Sequence, residues 1–133
     1  MRQSLKSGLT TFAAVVLLSG VAVTSHSESA FENISPKQAA AEFSEKKAVI
    51  VDVREDDEWQ EQHIPGAIHI PLGQLKSRLA ELEPYKNSQI ITQCRSGGRS
   101  AKAADQLTAA GFSKVQNLDG GIQAWEKAGL PLK

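Results

Sequence analysis

The fold of this chain is decided by one stretch, Ile90-Ile91-Thr92-Gln93-Cys94-Arg95-Ser96-Gly97-Gly98-Arg99-Ser100. Its β-branched beginning predicts a strand, and the alanine-rich residues 100–110 that follow it predict a helix. The two glycines between them let backbone N–H groups crowd around one point, and the helix N-terminus adds positive potential there. Arg95 and Arg99 in the turn add further positive charge. The pattern therefore predicts a pocket that holds the Cys94 thiolate and an anion together.

The segments on either side predict alternating strands and helices. Strands are predicted at 48–53, briefly within 65–71, at 89–93 and at 114–118, and helices at 36–43, 55–62, 72–82, 100–110 and 121–128. This alternation predicts an α/β domain whose parallel sheet is covered by helices on both faces. Such sheets bind ligands at the carboxyl ends of their strands, so we expect Asp52, Arg54 and Cys94 to share one crevice.

The N-terminal residues differ from the rest of the chain in composition. Arg2 and Lys6 form a basic start, residues 9–23 are mostly apolar, and small residues follow. This order predicts a secretory signal peptide at residues 1–27, cleaved between 25 and 30, ahead of one domain at 28–133. The apolar stretch of about fifteen residues is shorter than the roughly 20 that span a membrane, although an uncleaved anchor stays an alternative. We therefore expect a periplasmic protein.

Charge and cysteine content narrow the function classes. The 133 residues include 15 basic and 15 acidic side chains, so no strong field indicates nucleic acid or an anionic membrane as a partner. The single cysteine, Cys94, excludes an internal disulfide. A lone exported thiol among glycines and arginines is expected to be kept for its reactivity rather than as an inert core residue. The scattered histidines and one cysteine are a poor ligand set, so we expect no metal or other cofactor.

The turn around Cys94 suits the transfer of a sulfane sulfur. Only a thiolate attacks such a sulfur well, and the N–H groups of the turn can lower the pKa of the thiol as this requires. Covalent storage on Cys94 then divides one transfer into two steps. Ser100 could donate to the sulfur or cap the following helix. The predicted substrate-binding residues are Arg95, Ser96, Gly97, Gly98, Arg99 and Ser100.

Residues outside the turn are predicted to have structural roles. Asp52 and Arg54 are expected to pair with each other or with loop backbone, with direct substrate contact as the alternative. His63 lies in a turn and is expected to make a structural hydrogen bond. Trp59 and Trp125 are expected to pack in the core against the sheet.

Motifs along the chain resemble one known family. They are Val51-Asp52-Val53-Arg54-Glu55 with Glu58-Trp59, His63-Ile64-Pro65-Gly66-Ala67-Ile68, the turn Cys94 to Ser100, and Leu118-Asp119-Gly120-Gly121-Ile122-Gln123-Ala124-Trp125. From about Ile34 to Lys133 the chain is similar to single-domain rhodaneses, which are thiosulfate sulfurtransferases. The resemblance implies a five-stranded, mostly parallel sheet and a double displacement through a cysteine persulfide. It also implies a small sulfur donor such as thiosulfate and a thiol or cyanide acceptor.

Two other functions stay open from the sequence. A cysteine-dependent phosphatase or arsenate reductase also holds a thiolate in an anion-binding turn. The phosphotyrosine-type loop, however, places its arginine where Ser100 stands here, one residue after Arg99. The shorter ring favours a persulfide sulfur over a tetrahedral phosphate. The second alternative is a non-catalytic binding module whose cysteine senses oxidants. For so small a domain, a monomer is the expected state.

Overall fold

A computed structural model describes residues 31–133, so the predicted signal peptide at 1–27 lies outside the described residues. The described part contains one sheet of five strands in the order β1-β5-β4-β2-β3. All of its strand pairs are parallel. The strands are β1 (Glu32–Ile34), β2 (Ala48–Asp52), β3 (Ile68–His69), β4 (Gln89–Gln93) and β5 (Lys114–Leu118). Because β4 is the central strand, Cys94 leaves the sheet at the middle of its carboxyl edge.

Helices cover both faces of the sheet, as the sequence predicts. They are α1 (Pro36–Ser44), α2 (Asp56–Glu61), α3 (Gly98–Ala109) and α4 (Gly121–Lys127). Neighbouring residues Ile90 and Ile91 of β4 belong to opposite core clusters, because successive side chains of a strand point to opposite faces. Leu107 of α3 packs in the cluster of Ile90, whereas Trp125 of α4 packs in that of Ile91. The central strand is therefore buried from both sides.

Side-chain hydrogen bonds stabilise the N-termini of α1 and α2. Ser35 caps α1 by accepting a hydrogen bond from the Gln38 N–H at 3.3 Å. At the start of α2, the Glu55 N–H donates to the Glu58 carboxylate over 3.2 Å. This is one half of a capping box, and it fixes the Glu58 side chain at the first turn of α2.

The prediction of one amphipathic α-helix over 72–82 is wrong. The structure has two 3₁₀ segments, Leu72–Gln74 and Lys76–Tyr85, and the backbone at Arg78 is not helical (φ −116°, ψ 16°). Leu75 and Leu82 are nevertheless fully buried. Leucines spaced by threes as well as fours fit the three residues per turn of a 3₁₀ helix, so the apolar stripe forms without an α-helix.

Two smaller differences from the prediction concern the strand β1 and the start of the helix α3. The strand β1 was not predicted, because only Ile34 of its three residues is buried and the segment carries no apolar alternation. The helix α3 begins at Gly98, two residues earlier than predicted.

Within residues 31–133, no helix combines the length and the apolar character needed to cross a membrane.

Candidate active site

The sulfur of Cys94 lies inside the turn that joins β4 to α3. The Gly97 N–H donates to Cys94 Sγ over 3.0 Å, and the Ser100 hydroxyl lies 3.3 Å from the same sulfur. Gly97 has a φ of +121°, a conformation that only glycine adopts without strain, and it turns the chain into α3. Cys94 is 1% exposed, so an attacking partner must present a small atom at the mouth of the turn.

Opposing effects determine the pKa of the Cys94 thiol. Burial is the largest effect and raises the pKa, but hydrogen bonds from the Ser100 hydroxyl and from the N–H groups of Ser100, Gly97 and Ser96 lower it. Together these hydrogen bonds outweigh burial, so the pKa lies below its ordinary value. The turn therefore stabilises a thiolate without a neighbouring histidine.

The N-terminus of α4 holds the other side of the turn. The Ile122 N–H donates to the Cys94 carbonyl over 2.8 Å, and the Gln123 N–H donates to the Arg95 carbonyl over 3.2 Å. Gly121 has a φ of +60°, and a Cβ atom there would collide with both carbonyls. The close approach of α4 thus requires glycine, and it provides a backbone donor for each of the two carbonyl groups at the start of the turn.

Arg99 forms an ion pair with Glu58 of α2, which neutralises its charge. Its guanidinium donates to Glu58 Oε1 over 2.5 Å and to Oε2 over 2.9 Å. Arg99 lowers the pKa of the Glu58 carboxyl to about 2, so the carboxylate stays charged at any pH near neutrality. The exposed Arg95 has no hydrogen-bond or ion-pair partner for its side chain among the residues that the structure describes.

Asp52 and Arg54 pair with each other in the interior, as expected. The Arg54 guanidinium donates to both Asp52 oxygens, over 2.7 Å from Nη2 to Oδ2 and 3.0 Å from Nε to Oδ1. It also donates to the carbonyl oxygens of Glu58 and Gln62. Arg54 is 4% exposed and Asp52 is fully buried, so the pair ties the end of β2 to α2.

A cleft of about 230 Å³ opens beside the turn. Residues from the carboxyl edge of the sheet, from α2 and from α4 line this cleft, and many of them are charged. The lining residues are Arg54, Glu58, Glu61, Gln62, Arg95, Ile122, Gln123 and Glu126. In the described part of the chain, no group of three or more acidic, histidine or cysteine side chains is placed to hold a metal ion.

Trp59 does not join the core, contrary to expectation. It is half-buried and stacks between the rings of His63 (centroids 3.8 Å apart) and His69 (4.7 Å). His63 makes the structural hydrogen bond that the sequence predicts, from Nδ1 to the Trp59 carbonyl over 2.9 Å. His69 Nε2 lies 2.8 Å from the Arg54 carbonyl. Trp125 is buried against the sheet, as expected.

The structure brings to the site two residues, Glu58 and Asn117, for which the sequence predicted no role there. Glu58 entered the sequence analysis only as part of a motif of the resemblance, although its position three residues after Glu55 fits a capping box. Asn117 is buried on β5, and its amide donates to the Gly97 carbonyl over 3.4 Å. A polar residue within a predicted strand of a buried sheet is the sequence signal that could have identified Asn117.

We expect Ser100→Ala to raise the pKa of the Cys94 thiol, because the variant removes the hydroxyl hydrogen bond to the sulfur. The pH midpoint of alkylation by iodoacetamide should therefore move upward. Below that midpoint, alkylation should be about tenfold slower, as losing one hydrogen bond to a charged group implies.

Ser96→Ala is the matched control for this variant. The backbone N–H of Ser96 lowers the pKa of the thiol, and alanine keeps that N–H. The alkylation midpoint of Ser96→Ala should therefore match that of the original chain. Equal midpoints in all three proteins would contradict the role given to the Ser100 hydroxyl.

Comparison with known proteins agrees with this geometry. Residues 35–128 match the family model of the rhodanese-like domain. The chain is 43% identical over 82 residues to the putative sulfur carrier protein YrkF of Bacillus subtilis, which covers 62% of this chain. It is 35% identical over 101 residues to a sulfurtransferase of Allochromatium vinosum, covering 76% of this chain and 89% of that protein. Over 95 residues it is 36% identical to the thiosulfate sulfurtransferase GlpE of Pseudomonas savastanoi, covering 71% and 87%.

The lengths of these relatives differ. The chain spans 43% of YrkF and 54% of an uncharacterised Synechocystis protein. Among solved structures, a rhodanese-related protein of Thermoplasma volcanium superposes with a TM-score of 0.70 at 28% identity, covering 77% of this chain and 98% of that one. A Rhodopseudomonas palustris protein described as a possible tyrosine phosphatase gives 0.71 at 29% identity, covering 79% and 86%.

Proposed function

The chain belongs to the rhodanese-like domain family, and from this premise we propose that it transfers sulfane sulfur through a persulfide on Cys94. The observation that carries the proposal is the pair of hydrogen bonds to Cys94 Sγ, from the Gly97 N–H at 3.0 Å and the Ser100 hydroxyl at 3.3 Å. These donors stabilise a thiolate, and they suit the anionic outer sulfur of a persulfide for the same reason.

The proposed reaction consists of two displacements with thiosulfate as the donor. The Cys94 thiolate attacks the outer sulfur, a new S–S bond forms, and sulfite leaves with the electron pair of the broken S–S bond. In the second step, cyanide or a thiolate attacks the outer sulfur of the persulfide, and the Cys94 thiolate leaves. No net oxidation takes place and no metal is required. Arg95 at the mouth of the turn supplies positive charge for the anionic donor.

Phosphatase chemistry is the second candidate, supported by the likeness to the possible tyrosine phosphatase. The site favours it less, because Ser100 stands where a phosphotyrosine-type loop has its arginine and donates to the sulfur instead. The neighbouring Arg99 is paired with Glu58. Both features leave a tetrahedral phosphate without the bidentate cation that it requires.

A direct comparison of two activities tests the proposal. Purified protein should form thiocyanate from thiosulfate and cyanide, and it should not hydrolyse an aryl phosphate under the same conditions. Aryl phosphate hydrolysis without thiocyanate would favour the phosphatase. The absence of both activities would favour a thiol-sensing module.

We also propose that the domain is exported, on the basis of the basic start, the apolar stretch 9–23 and the small residues after it. In its own host, the protein should be recovered from the periplasm, and its intact mass should place the N-terminus between residues 25 and 30. Leu17→Arg, a charge inside the apolar stretch, should leave the full-length chain in the cytoplasm. An N-terminus at residue 1 in the exported protein would contradict cleavage.

A further inference from the structure

The charges around the sulfur are largely balanced. Three arginines lie at this edge of the sheet, but Asp52 neutralises Arg54 and Glu58 neutralises Arg99. Among the arginines of this edge, Arg95 alone forms no ion pair within residues 31–133. A donor with two negative charges therefore meets much less positive potential than three arginines would otherwise provide.

Glu58 is held firmly in this arrangement. Both of its carboxylate oxygens accept hydrogen bonds from Arg99, and Oε1 also accepts one from the Glu55 N–H. The side chain is 25% exposed and lines the cleft next to Arg95. Arg99 in turn lies close to the sulfur, because it stands in the first turn of α3 directly before Ser100, whose hydroxyl is 3.3 Å from Cys94 Sγ. The Cys94 thiolate is also one of the smaller causes that raise the pKa of Arg99.

We propose that Glu58 is a specificity-determining residue that disfavours doubly charged sulfur donors relative to singly charged ones by neutralising Arg99 beside the reactive sulfur. The inference rests on the proposed sulfurtransferase function and names the donor class of the same site. A singly charged persulfide or thiosulfonate is then better matched to this site than the thiosulfate dianion. Removing the carboxylate charge should shift the preference toward thiosulfate.

Two donors of similar shape separate charge from other effects. Thiosulfate carries two negative charges and methanethiosulfonate carries one, and both present an outer sulfur bonded to a sulfonyl group. The quantity to measure is the second-order rate constant for loading Cys94 with sulfur, followed by mass spectrometry in a single turnover. Any change in the thiolate fraction of Cys94 multiplies both constants equally. A change in this ratio between variants therefore reports a change in the charge that the donor meets.

Glu58→Gln keeps the size and an acceptor oxygen but removes the charge. The ratio of thiosulfate to methanethiosulfonate loading should rise by roughly threefold, which is the effect of one unit charge several ångströms away in water-like surroundings. Arg99→Ala should lower the same ratio by a similar factor. Asp57→Asn removes a charge from the exposed side of the same helix and should leave the ratio unchanged, because water screens that position.

Alkylation gives a second measurement that does not depend on sulfur transfer. Iodoacetate carries one negative charge and iodoacetamide none, so the ratio of their rates with Cys94 reports the potential at the sulfur. Glu58→Gln should raise this ratio by roughly threefold as well.

Different outcomes test the role of Glu58 and the proposed sulfur transfer separately. An unchanged or lower donor ratio in Glu58→Gln, or an equal rise in Asp57→Asn, overturns the role of Glu58. Absence of sulfur loading by either donor in the original chain overturns the proposed function and the donor preference with it. In that case the alkylation ratio still shows whether Glu58 sets the charge at the sulfur.

Discussion

Replacing Cys94 by serine should abolish sulfur transfer while the domain stays folded. A serine hydroxyl at this position stays protonated near neutral pH, so the nucleophile is lost and the rate should fall by about a thousandfold or more. Incubation with thiosulfate should add one sulfur atom to the mass of the original chain, and cyanide should remove it again. The serine variant should gain no mass.

The interpretation of this variant depends on an intact fold. Serine is close to cysteine in size and can accept the Gly97 N–H that now reaches the sulfur. Its circular dichroism spectrum and urea unfolding midpoint should therefore stay near those of the original chain. Since Cys94 is the only cysteine, any sulfur gained by the variant would lie elsewhere and refute the persulfide assignment.

Asp52→Asn should destabilise the domain by about 3–5 kcal/mol, the usual cost of leaving one partner of a buried ion pair alone. The variant removes the charge that Arg54 contacts through Nε and Nη2, and Arg54 is only 4% exposed. Water cannot compensate a cation at that depth. Urea unfolding should show the loss as a lower midpoint with an unchanged slope.

An exposed ion pair supplies the matched control. Glu81→Gln breaks the Arg78–Glu81 pair, whose side chains are 34% and 50% exposed. Water replaces this lost contact, so the free energy of unfolding should hardly change. In the Asp52→Asn background, Arg54→Met should recover stability by removing the stranded cation. Equal effects of Asp52→Asn and Glu81→Gln would show that burial of the pair has no special importance.

Much of the architecture could be predicted because its signals are local. The apolar runs of β2 and β4 and the glycine turn after Cys94 are each readable within a few residues. The strand β1 carried no such signal, because it is held by pairing with β5 rather than by its own apolar pattern. The leucines at 72–82 predicted the side that packs on the core, with Leu75 and Leu82 buried and Leu72 and Leu79 partly buried. They did not predict the 3₁₀ geometry, since both helix types place such residues on one side.

The sequence predicted the nucleophile of the site, Cys94, but it did not predict which charges around the sulfur are paired. The Cys94 turn is contiguous in sequence, whereas the partner of Arg99 lies 41 residues away on α2. The sequence therefore predicted Arg99 as an anion-binding residue without its neutralising partner, Glu58. Trp59 was assigned to the core because an indole usually packs there, and the two histidines that cover its faces lie outside its own helix.

The contact between α4 and the cysteine turn makes the shape of the turn depend on a distant segment of the chain. The N–H groups that fix the Cys94 and Arg95 carbonyls come from Ile122 and Gln123, near the C-terminal end. A variant truncated after Gly120 loses both of these donors, so we expect the Cys94 and Arg95 carbonyls to lose the hydrogen bonds that anchor the start of the turn. An intact α4 is therefore a requirement for the shape of the pocket, even though the donors to the sulfur come from residues 96–100.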